Sequence, residues 1–354
     1  MEGFAAVILA AGKSTRMKSD LPKPLHNLCG KPVTRHVIDA CHAAGLDDVI
    51  VVIGHESARV KARLGEDVSY VVQRQQLGTG HACAQAKKAL GETLKHVVVL
   101  PGDAPLIRPE TLKMLCDRHI SSGSSATILS AILSDAGHYG RIVRKADGDV
   151  EKIVEAKDAS PEILAIREIN TSVYVFDADL LFKKLKLLKP RNIQAEYYLT
   201  DVIQLMVKDG KTAQAVVCED ATEALGINNR IELAELADAL RRRKLSEMML
   251  SGVTVAHPNS TWVDVTVTVG ADSVIQPFTI IEGGTSIGER CGIGPFAHIA
   301  DSTLGDDVVA TFCRVVGRVV SDSATIGPFE NVDGESLSRW FTGMNVRSKK
   351  DGHN

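Results

Sequence analysis

The stretch Leu9-Ala-Ala-Gly-Lys-Ser-Thr-Arg16-Met17, followed by Leu21-Pro-Lys23-Pro-Leu25, decides how the first half of the chain is interpreted. An apolar run of strand length leads into it, and Gly12 stands where that strand would turn. Because glycine has no Cβ, the backbone N–H groups at such a turn can approach a phosphate closely. Arg16 and Lys23 place two positive charges nearby. The stretch therefore predicts a strand that ends at a phosphate-binding turn.

The glycine spacing excludes two common phosphate-binding motifs. A P-loop needs a second glycine five residues before Gly12, and Val7 stands there instead. The G-x-G-x-x-G spacing of dinucleotide-binding domains is also missing from this stretch. Taken alone, the stretch is also compatible with a buried strand, a surface loop and two solvated cations.

Composition limits the classes of function. A chain of 354 residues exceeds the size of most single cores, so two domains are expected. The net charge of −3 gives no sign of a nucleic-acid or membrane surface, and no apolar stretch is long enough to span a bilayer. Seven cysteines without a C-x-x-C pair indicate reduced thiols and a cytoplasmic protein. Histidine spacing does not favour zinc, so any metal is expected to have oxygen ligands.

Up to about residue 230, apolar runs alternate with amphipathic segments, which predicts a doubly wound α/β domain with a parallel sheet. Ligands of such domains bind at the carboxyl ends of the strands, where Gly12, Gln73 and Asp103 fall. The expected strands are residues 5–9, 49–53, 68–72, 97–100 and 127–133, and two expected helices are residues 35–44 and 81–90, each followed by glycine.

A six-residue period replaces this alternation in the last third of the chain. Aliphatic residues recur at every sixth position, which is typical of hexapeptide repeats that form a parallel β-helix of four or five coils here. The recurring positions are Val263, Val269, Ile275, Ile281, Ile287, Ile293 and Ile299. The period slips by one residue at Leu304. The predicted organisation is a domain at 1–228, a linker helix at 229–252, a β-helix at 253–335 and a polar tail at 336–354.

The segment Gln73-Arg-Gln-Gln-Leu-Gly78-Thr79 follows an apolar strand and precedes a helix. Glycine allows the backbone to lie against a flat base, and a glutamine amide offers both a donor and an acceptor to a uracil edge. The segment is therefore a candidate base-binding loop. The alternative is a polar loop in which Thr79 caps the helix.

Asp103 ends a buried strand at the expected ligand-binding edge, where a carboxylate suits Mg²⁺. Asn228 offers a second oxygen ligand. The alternatives are that Asp103 caps the turn before Pro105 and that Asn228 is a helix N-cap. Three fragments centred on Gly140, Glu155 and Asn170 are candidates for a sugar pocket, although a solvated face or a local turn would explain them as well.

The motifs LAAGKSTRM, LPKPL, QLGTGHA, GDAPL, YGRIV, IVEAKDA, INTS, EYYLTD and GINNR occur in this order and precede a helix and hexapeptide repeats. In this respect the chain resembles the bacterial N-acetylglucosamine-1-phosphate uridylyltransferase family throughout residues 1–330. The resemblance implies a Rossmann-like nucleotidyltransferase domain and a shortened left-handed β-helix. It also implies transfer of a uridylyl group from UTP to N-acetylglucosamine 1-phosphate, with release of pyrophosphate, in a pathway that feeds peptidoglycan synthesis.

Carried over by motif, the resemblance implies roles for individual residues. Arg16, Lys23 and Asp103 would be catalytic, and Asp103 and Asn228 would hold Mg²⁺. The nucleotide would be bound by Leu9, Ala10, Ala11, Gly12, Lys23, Gln73, Gly78 and Thr79. The sugar would be bound by Gly140, Glu155 and Asn170, with Asn228 beside them. The β-helix would form a homotrimer.

The chain departs from the family pattern in three places. Ser172 follows Asn-Thr where the family has glycine, and His138 replaces a glycine before Tyr139. Both changes fall in the predicted sugar pocket, so glucose 1-phosphate or another hexose phosphate is an alternative to N-acetylglucosamine 1-phosphate. For the nucleotide, dTTP is an alternative to UTP. The repeats fade before the coils that carry an acetyltransferase in bifunctional members, which predicts that this activity is missing. A non-catalytic sugar-nucleotide sensor or assembly subunit is the alternative of another class.

Overall fold

The computed structural model describes residues 1–12, 15–91 and 94–333. The chain forms two compact units, Met1–Leu236 and Ala237–Asn354. The domain boundaries given above stay predictions, and the predicted polar tail at 336–354 lies outside the described residues. In the part of the chain that is described, no helix is both long and apolar enough to cross a membrane.

The first unit alternates strands and helices. Its strands are β1 (Phe4–Ala10), β2 (Asn27–Leu28), β3 (Lys31–Pro32), β4 (Val49–Ile53), β5 (Ser69–Val72), β6 (His96–Pro101), β7 (Ala126–Ile132), β8 (Arg141–Arg144), β9 (Val150–Val154), β10 (Glu168–Asp177) and β11 (Ala213–Val217). Its helices are α1 (Val33–Ala43), α2 (Ser57–Leu64), α3 (Thr79–Gln85), α4 (Pro109–Ser122), α5 (Pro161–Leu164), α6 (Ala178–Leu185) and α7 (Thr200–Lys208).

The main sheet has the order β11-β7-β10-β6-β1-β4-β5. β1 pairs in parallel with both β4 and β6, and β4 pairs in parallel with β5, so the carboxyl ends of these four strands lie at one edge. The prediction of an all-parallel sheet is wrong for β10, which runs antiparallel to β6 and β7. The apolar pattern does not reveal β10 because polar residues at 170–172 interrupt it.

Helices cover both faces of the sheet, which confirms the doubly wound fold. Successive residues of β1 point to opposite faces, so Val7 packs with α3, α6 and α7 while Ile8 packs with α1, α2 and α4. Because both faces are covered, every residue of β4 is buried.

The two predicted helix ends have different outcomes. α1 begins at Val33, two residues before the expected start, and ends at Ala43, just before Ala44 and Gly45; the φ of +80° at Gly45 suits the glycine expected after the last turn. The prediction for residues 81–90 is wrong at both ends, because α3 begins at Thr79 and gives way after Gln85 to the 3₁₀ turn Ala86–Lys88. The side chain of Ala86 is fully buried at this change.

Helix α8 (Arg230–Leu250) is followed by a parallel β-helix. Its short strands are β12 (Thr254–Val255), β13 (Trp262–Val263), β14 (Thr268–Val269), β15 (Val274–Ile275), β16 (Ile280–Glu282), β17 (Ser286–Ile287), β18 (Gly292–Ile293), β19 (His298–Ala300), β20 (Thr303–Leu304), β21 (Val309–Ala310), β22 (Arg314–Val316), β23 (Val319–Val320), β24 (Thr325–Ile326) and β25 (Asn331–Asp333). They stack in three sheets, each made of every third strand.

The six-residue period sets the core of this β-helix. Ile281 is fully buried and pairs with Ile299, which lies 18 residues later and is also fully buried. Ile299 in turn pairs with Val315, only 16 residues later. Two five-residue steps, from Ile299 to Leu304 and from Ala310 to Val315, therefore shorten this later coil without ending it, because Ala310 and Val315 still point inward and are fully buried.

One corner of the β-helix carries an exposed aromatic ladder, which consists of Phe278, Phe296, Phe312 and Phe329. Each has a positive φ, and consecutive ring centroids lie 5.1, 5.3 and 5.9 Å apart. Their exposure ranges from 39% to 86%. Because these large apolar side chains are exposed along one edge, they form a continuous apolar surface.

Candidate functional site

A cavity of about 700 Å³ opens at the carboxyl ends of the parallel strands in the first unit. It brings together most of the site residues expected from the sequence, although these are spread over more than 200 positions. The expected residues that line it are Leu9, Ala10, Ala11, Gly12, Arg16, Lys23, Gln73, Gly78, Thr79, Asp103, Glu155 and Asn228. The described lining does not include Gly140 or Asn170.

The turn after β1 is shaped by close backbone contacts. Gly54, after β4, is in contact with the backbone of this turn, because a Cβ at Gly54 would lie 2.5 Å from the Ala11 carbonyl oxygen. A Cβ at Gly12, in contrast, would meet no described atom within 4 Å. The open space beside Gly12 is therefore on the cavity side, where a ligand can use it.

Both basic residues are carried by short 3₁₀ turns that are anchored in the core. Arg16 lies in Thr15–Met17, where Met17 is fully buried. Lys23 begins the turn Lys23–Leu25, in which Pro24 and Leu25 are buried. These anchors leave the two charged groups at the cavity wall.

Each cation contacts one of the expected metal ligands. The ammonium group of Lys23 donates a hydrogen bond to Asp103 Oδ2, and the Lys23 side chain is only 13% exposed. Arg16 Nη2 donates to Asn228 Oδ1 at 2.8 Å. Two positive groups thus occupy oxygen atoms that would otherwise be free to coordinate a cation.

Asp103 and Asn228 come from distant parts of the chain but lie next to each other. The backbone N–H of Ile227 donates to the carbonyl oxygen of Asp103 at 3.0 Å. The N-cap of α8 is Asn229, whose Oδ1 accepts from the backbone N–H of Glu232 at 3.0 Å. Asn228 is therefore not the N-cap, and its side chain is left for the cavity. The carboxylate of Asp103 likewise bonds Lys23 rather than capping the turn before Pro105.

The donor set at this point fits Mg²⁺. A carboxylate and an amide oxygen are hard ligands, and Mg²⁺ is commonly held by one or two such groups plus waters and substrate phosphates. Within residues 1–12, 15–91 and 94–333 there is no group of three or more His, Cys, Asp or Glu side chains able to hold a metal. The arrangement suits a metal that arrives with a nucleotide better than one held by the protein alone.

Hydrogen bonds and close backbone contacts fix the candidate base-binding loop. Gln73 is only 3% exposed, and its Nε2 donates to the Gly78 carbonyl at 3.2 Å and lies 2.9 Å from His81 Nδ1. Gly78 has a φ of +110°, and a Cβ there would lie 2.6 Å from the Tyr197 carbonyl oxygen. Thr79 Oγ1 accepts from the Leu199 N–H at 3.0 Å, so it ties two loops together instead of capping α3.

Glu155 and Thr200, from two distant segments, also line the cavity. Thr200 Oγ1 donates to Glu155 Oε1 at 3.2 Å. Burial raises the pKa of the Glu155 carboxyl, and the Thr200 hydrogen bond opposes that effect. Gly140 lies directly behind this carboxylate, because a Cβ at Gly140 would lie 3.4 Å from Glu155 Oε2.

Asn170 lies behind the wall rather than in it. It is 3% exposed, and its Nδ2 donates to the hydroxyl of Tyr174 at 2.8 Å. Tyr174 itself lines the cavity, as does Ser172. The roles expected for Asn170 and Gly140 in sugar binding stay predictions.

Comparison with known proteins identifies the family. Residues 6–161 match the model of the MobA-like NTP transferase domain, and residues 266–301 match the bacterial transferase hexapeptide (six repeats). Three curated relatives, each named "Bifunctional protein GlmU", come from Caldanaerobacter subterraneus subsp. tengcongensis (44% identity), Exiguobacterium sibiricum (44%) and Heliobacterium modesticaldum (45%). The alignments cover 95%, 92% and 93% of this chain and 73%, 73% and 72% of the relatives.

The chain belongs to the GlmU family. With an NTP transferase domain that includes the β1 turn and Asp103, this GlmU family member is a nucleotidyltransferase. The hexapeptide match confirms that the second unit is a left-handed β-helix built from six-residue repeats.

Several cavity residues of this GlmU family member were not expected from the sequence. They are Gln76, Tyr174, Glu196 and Thr200. Gln76 lies in the candidate base-binding loop, and a polar side chain two residues before Gly78 was a usable signal. Glu196 and Thr200 lie in the EYYLTD motif, which indicated the family but gave no period or spacing that would place it against Glu155.

His138 occupies a different place from the one expected. The described cavity lining includes Ser172 but not His138. The His138 ring stacks on Tyr139 at a centroid distance of 4.7 Å, and its Nε2 lies 3.3 Å from Asn228 Nδ2. His138 therefore adjoins Asn228, which is expected to serve both metal and sugar, from outside the described lining of the cavity.

Proposed function

We propose that the chain transfers a uridylyl group from UTP to N-acetylglucosamine 1-phosphate in a Mg²⁺-dependent reaction that releases pyrophosphate. The observation that carries this proposal is the single cavity that unites Gly12, two cations, two oxygen ligands and a recessed glutamine. Its volume of about 700 Å³ is within the range of small-molecule sites.

The proposal for uracil rests on Gln73. Its Nε2 donates to the Gly78 carbonyl oxygen, and in this proposal its side-chain carbonyl oxygen accepts a hydrogen bond from the base. Uracil and thymine carry a hydrogen on N3, whereas cytosine has an acceptor there. The arrangement therefore favours UTP over CTP, and dTTP stays the alternative nucleotide.

The two cations support a reaction between two anions. In the proposed reaction an oxygen of the sugar phosphate attacks the α-phosphorus of UTP, and pyrophosphate leaves on the opposite side. A phosphate nucleophile is already ionised at neutral pH, so no general base is needed, and charge neutralisation and positioning carry the rate. Lys23 and Arg16 are held at the cavity wall to provide that charge, and each would exchange its present partner for a phosphate oxygen.

Asp103 and Asn228 are the residues that would hold Mg²⁺. When bound, the ion would neutralise charge on the phosphates and on the departing pyrophosphate. Because Lys23 and Arg16 now contact the same oxygens, the chain alone is expected to bind Mg²⁺ weakly and to bind it better together with UTP.

The sugar is supported less directly. Glu155, Thr200, Tyr174 and Ser172 offer hydroxyl and carboxylate groups to a hexose, which suits N-acetylglucosamine 1-phosphate. None of these groups by itself rejects glucose 1-phosphate. Glucose 1-phosphate therefore stays the alternative acceptor.

The test is a matrix of four nucleoside triphosphates against several sugar 1-phosphates, with and without Mg²⁺, with pyrophosphate release as the readout. We expect turnover with UTP and N-acetylglucosamine 1-phosphate, and none without Mg²⁺. If another nucleotide and sugar 1-phosphate were turned over faster, those two compounds would be assigned as the substrates. No turnover with any pair would favour the non-catalytic sensor.

Three further expectations belong to this proposal. The exposed aromatic ladder, Phe278, Phe296, Phe312 and Phe329, supports assembly through the β-helix as a homotrimer, which light scattering of the wild type and of Phe296→Ser would test. Absence of acetyltransferase activity is tested by CoA release from acetyl-CoA with glucosamine 1-phosphate. A cytoplasmic location and a supply of product to peptidoglycan synthesis are tested by fractionation and by depletion in the source cell.

A further inference from the structure

Ser172 is held in an unusual backbone conformation at the cavity wall. Its φ is +63°, a left-handed value that a residue with a Cβ rarely adopts. It lies in β10, where the pairing with β7 shifts between Asn170 and Val173. A strained non-glycine residue at a site wall suggests that its side chain has a use there.

The strain is supported by two neighbouring side chains. Asn170 Oδ1 accepts from the Ser172 N–H at 3.2 Å, and Thr171 Oγ1 accepts from the Val173 N–H at 3.2 Å. Thr171 is itself fixed because its hydroxyl donates to the Leu129 carbonyl at 2.7 Å. Both N–H groups released by the bulge are therefore satisfied, and the position of Ser172 is fixed.

Ser172 shares the cavity lining with a buried tyrosine, Tyr174. Tyr174 is 2% exposed, and its oxygen already accepts from Asn170 Nδ2. Burial raises the pKa of Tyr174, and a hydrogen bond from the Ser172 side chain acts in the opposite direction. Because Ser172 and Tyr174 both line the cavity, and a serine hydroxyl can donate as well as accept, the Ser172 hydroxyl can donate a hydrogen bond to a ligand there.

We propose that Ser172 determines which sugar 1-phosphate the enzyme accepts. Its hydroxymethyl group takes up space at the cavity wall, and its hydroxyl donates a hydrogen bond to a sugar oxygen. Glu155 and Thr200 line the same cavity and bind the rest of the sugar. This inference rests on the proposed function, since it assigns a selectivity within that reaction.

Two variants separate the hydroxyl from the backbone strain. Ser172→Ala keeps the Cβ and the strained φ but removes the hydroxyl. Ser172→Gly removes both and relieves the strain, so we expect its melting temperature to rise by roughly 2–4 °C. Asp272→Gly, at a φ of +60° in the β-helix, is the control for strain relief alone, and Ser121→Ala is the control for loss of an exposed hydroxyl.

The experiment measures kcat/KM for N-acetylglucosamine 1-phosphate and for glucose 1-phosphate at saturating UTP. In both Ser172 variants we expect the ratio of the two values to change by about threefold to tenfold, the effect of one neutral hydrogen bond. The KM for UTP should stay within about twofold of the wild type, and both controls should keep the wild-type ratio.

The outcomes are distinguishable. A ratio within about twofold of the wild type in both Ser172 variants would overturn the inference while leaving the proposed function in place. An equal change in the ratio for Asp272→Gly would also overturn it. A wild-type enzyme that turns over neither sugar 1-phosphate would overturn the proposed function and the inference together.

Discussion

The two units of the chain hold their charged groups in contrasting ways. In the first unit, Lys23 and Asp103 form a half-buried pair at a cavity wall, and we propose that each contributes to catalysis there. In the β-helix, Arg290 forms ion pairs with Asp307 and Glu289 on an exposed surface, and the partners lie on the same or the next coil.

The difference shows which charged groups follow from the six-residue repeat and which do not. Exposed pairs between coils contribute little to stability, because water screens them. The charges of the cavity were not brought together by any period, since Lys23 and Asp103 are 80 positions apart. We infer that the first unit is specified residue by residue around a ligand, whereas the second is specified by a repeated core position.

The largest effect expected is on the core of the β-helix. Ile281 is fully buried at a repeat position, so Ile281→Ala should lower the free energy of unfolding of this unit by about 2–5 kcal/mol. Its neighbour Ile280 points outward and is 42% exposed, so Ile280→Ala is the matched control, with an expected cost below about 1 kcal/mol. Denaturant unfolding measures both, and equal costs would contradict the assigned register.

The next effect concerns the cations of the cavity. Lys23→Ala should reduce kcat/KM by roughly 10²–10³-fold, because it removes a preorganised charge from the transition state. Arg16→Ala should act in the same direction. Lys18→Ala is the control, since Lys18 is exposed in the same segment and is not part of the described lining. Steady-state pyrophosphate release measures all three, and a near-wild-type rate in both Lys23→Ala and Arg16→Ala would remove their catalytic assignment.

Two glycines of the cavity should respond differently to the same change. Gly78→Ala should lower the free energy of unfolding by about 1–3 kcal/mol, because the φ of +110° and the Tyr197 backbone leave no room for a Cβ. Gly12→Ala should leave stability nearly unchanged but raise the KM for UTP, since a Cβ there meets no described atom within 4 Å. Melting temperature and KM are measured together. Loss of stability in Gly12→Ala would show that this glycine serves the fold instead of the ligand.

The smallest expected effect is that the stability of the first unit depends on pH. Burial, with the nearby charge of His96, lowers the pKa of His119 to about 4 from its usual 6.5. The unfolded chain binds the proton more readily, so this contribution to stability is complete above pH 6.5 and is lost as the pH falls from 6.5 towards 4. From pH 7 to 5.5 we expect His119 to lower the melting temperature by roughly 2–4 °C. His119→Gln should flatten that dependence, and an unchanged slope would exclude His119 as its source.

The sequence allows the type of the second unit to be predicted, because an aliphatic residue recurs at every sixth position from Val263 to Ile299 and packs in the core of the β-helix. It also predicts the strand edge where Gly12, Gln73 and Asp103 meet, since parallel strands end at a common edge. Contacts between distant segments cannot be predicted in this way. Thr200 and Glu155 are brought together by the packing of α7 against β9, and no local pattern encodes that packing.

Alternative roles for polar residues also need the structure. Asn228 and Asn229 are equivalent as sequence, and only the hydrogen bonds show that Asn229 caps α8 while Asn228 contacts Arg16. The conformation of Ser172 also needs the structure, because its positive φ depends on a β-bulge that the sequence does not predict.

Hydrogen–deuterium exchange of the full chain, with and without UTP and Mg²⁺, tests the central claim most directly. The claim is that the nucleotide binds in the cavity of the first unit and that the β-helix takes no part in binding it. We expect slower exchange in peptides that contain residues 9–12, 73–79 and 226–228, and unchanged exchange across residues 254–333. Protection within the β-helix, or no protection at the strand edge, would contradict the account.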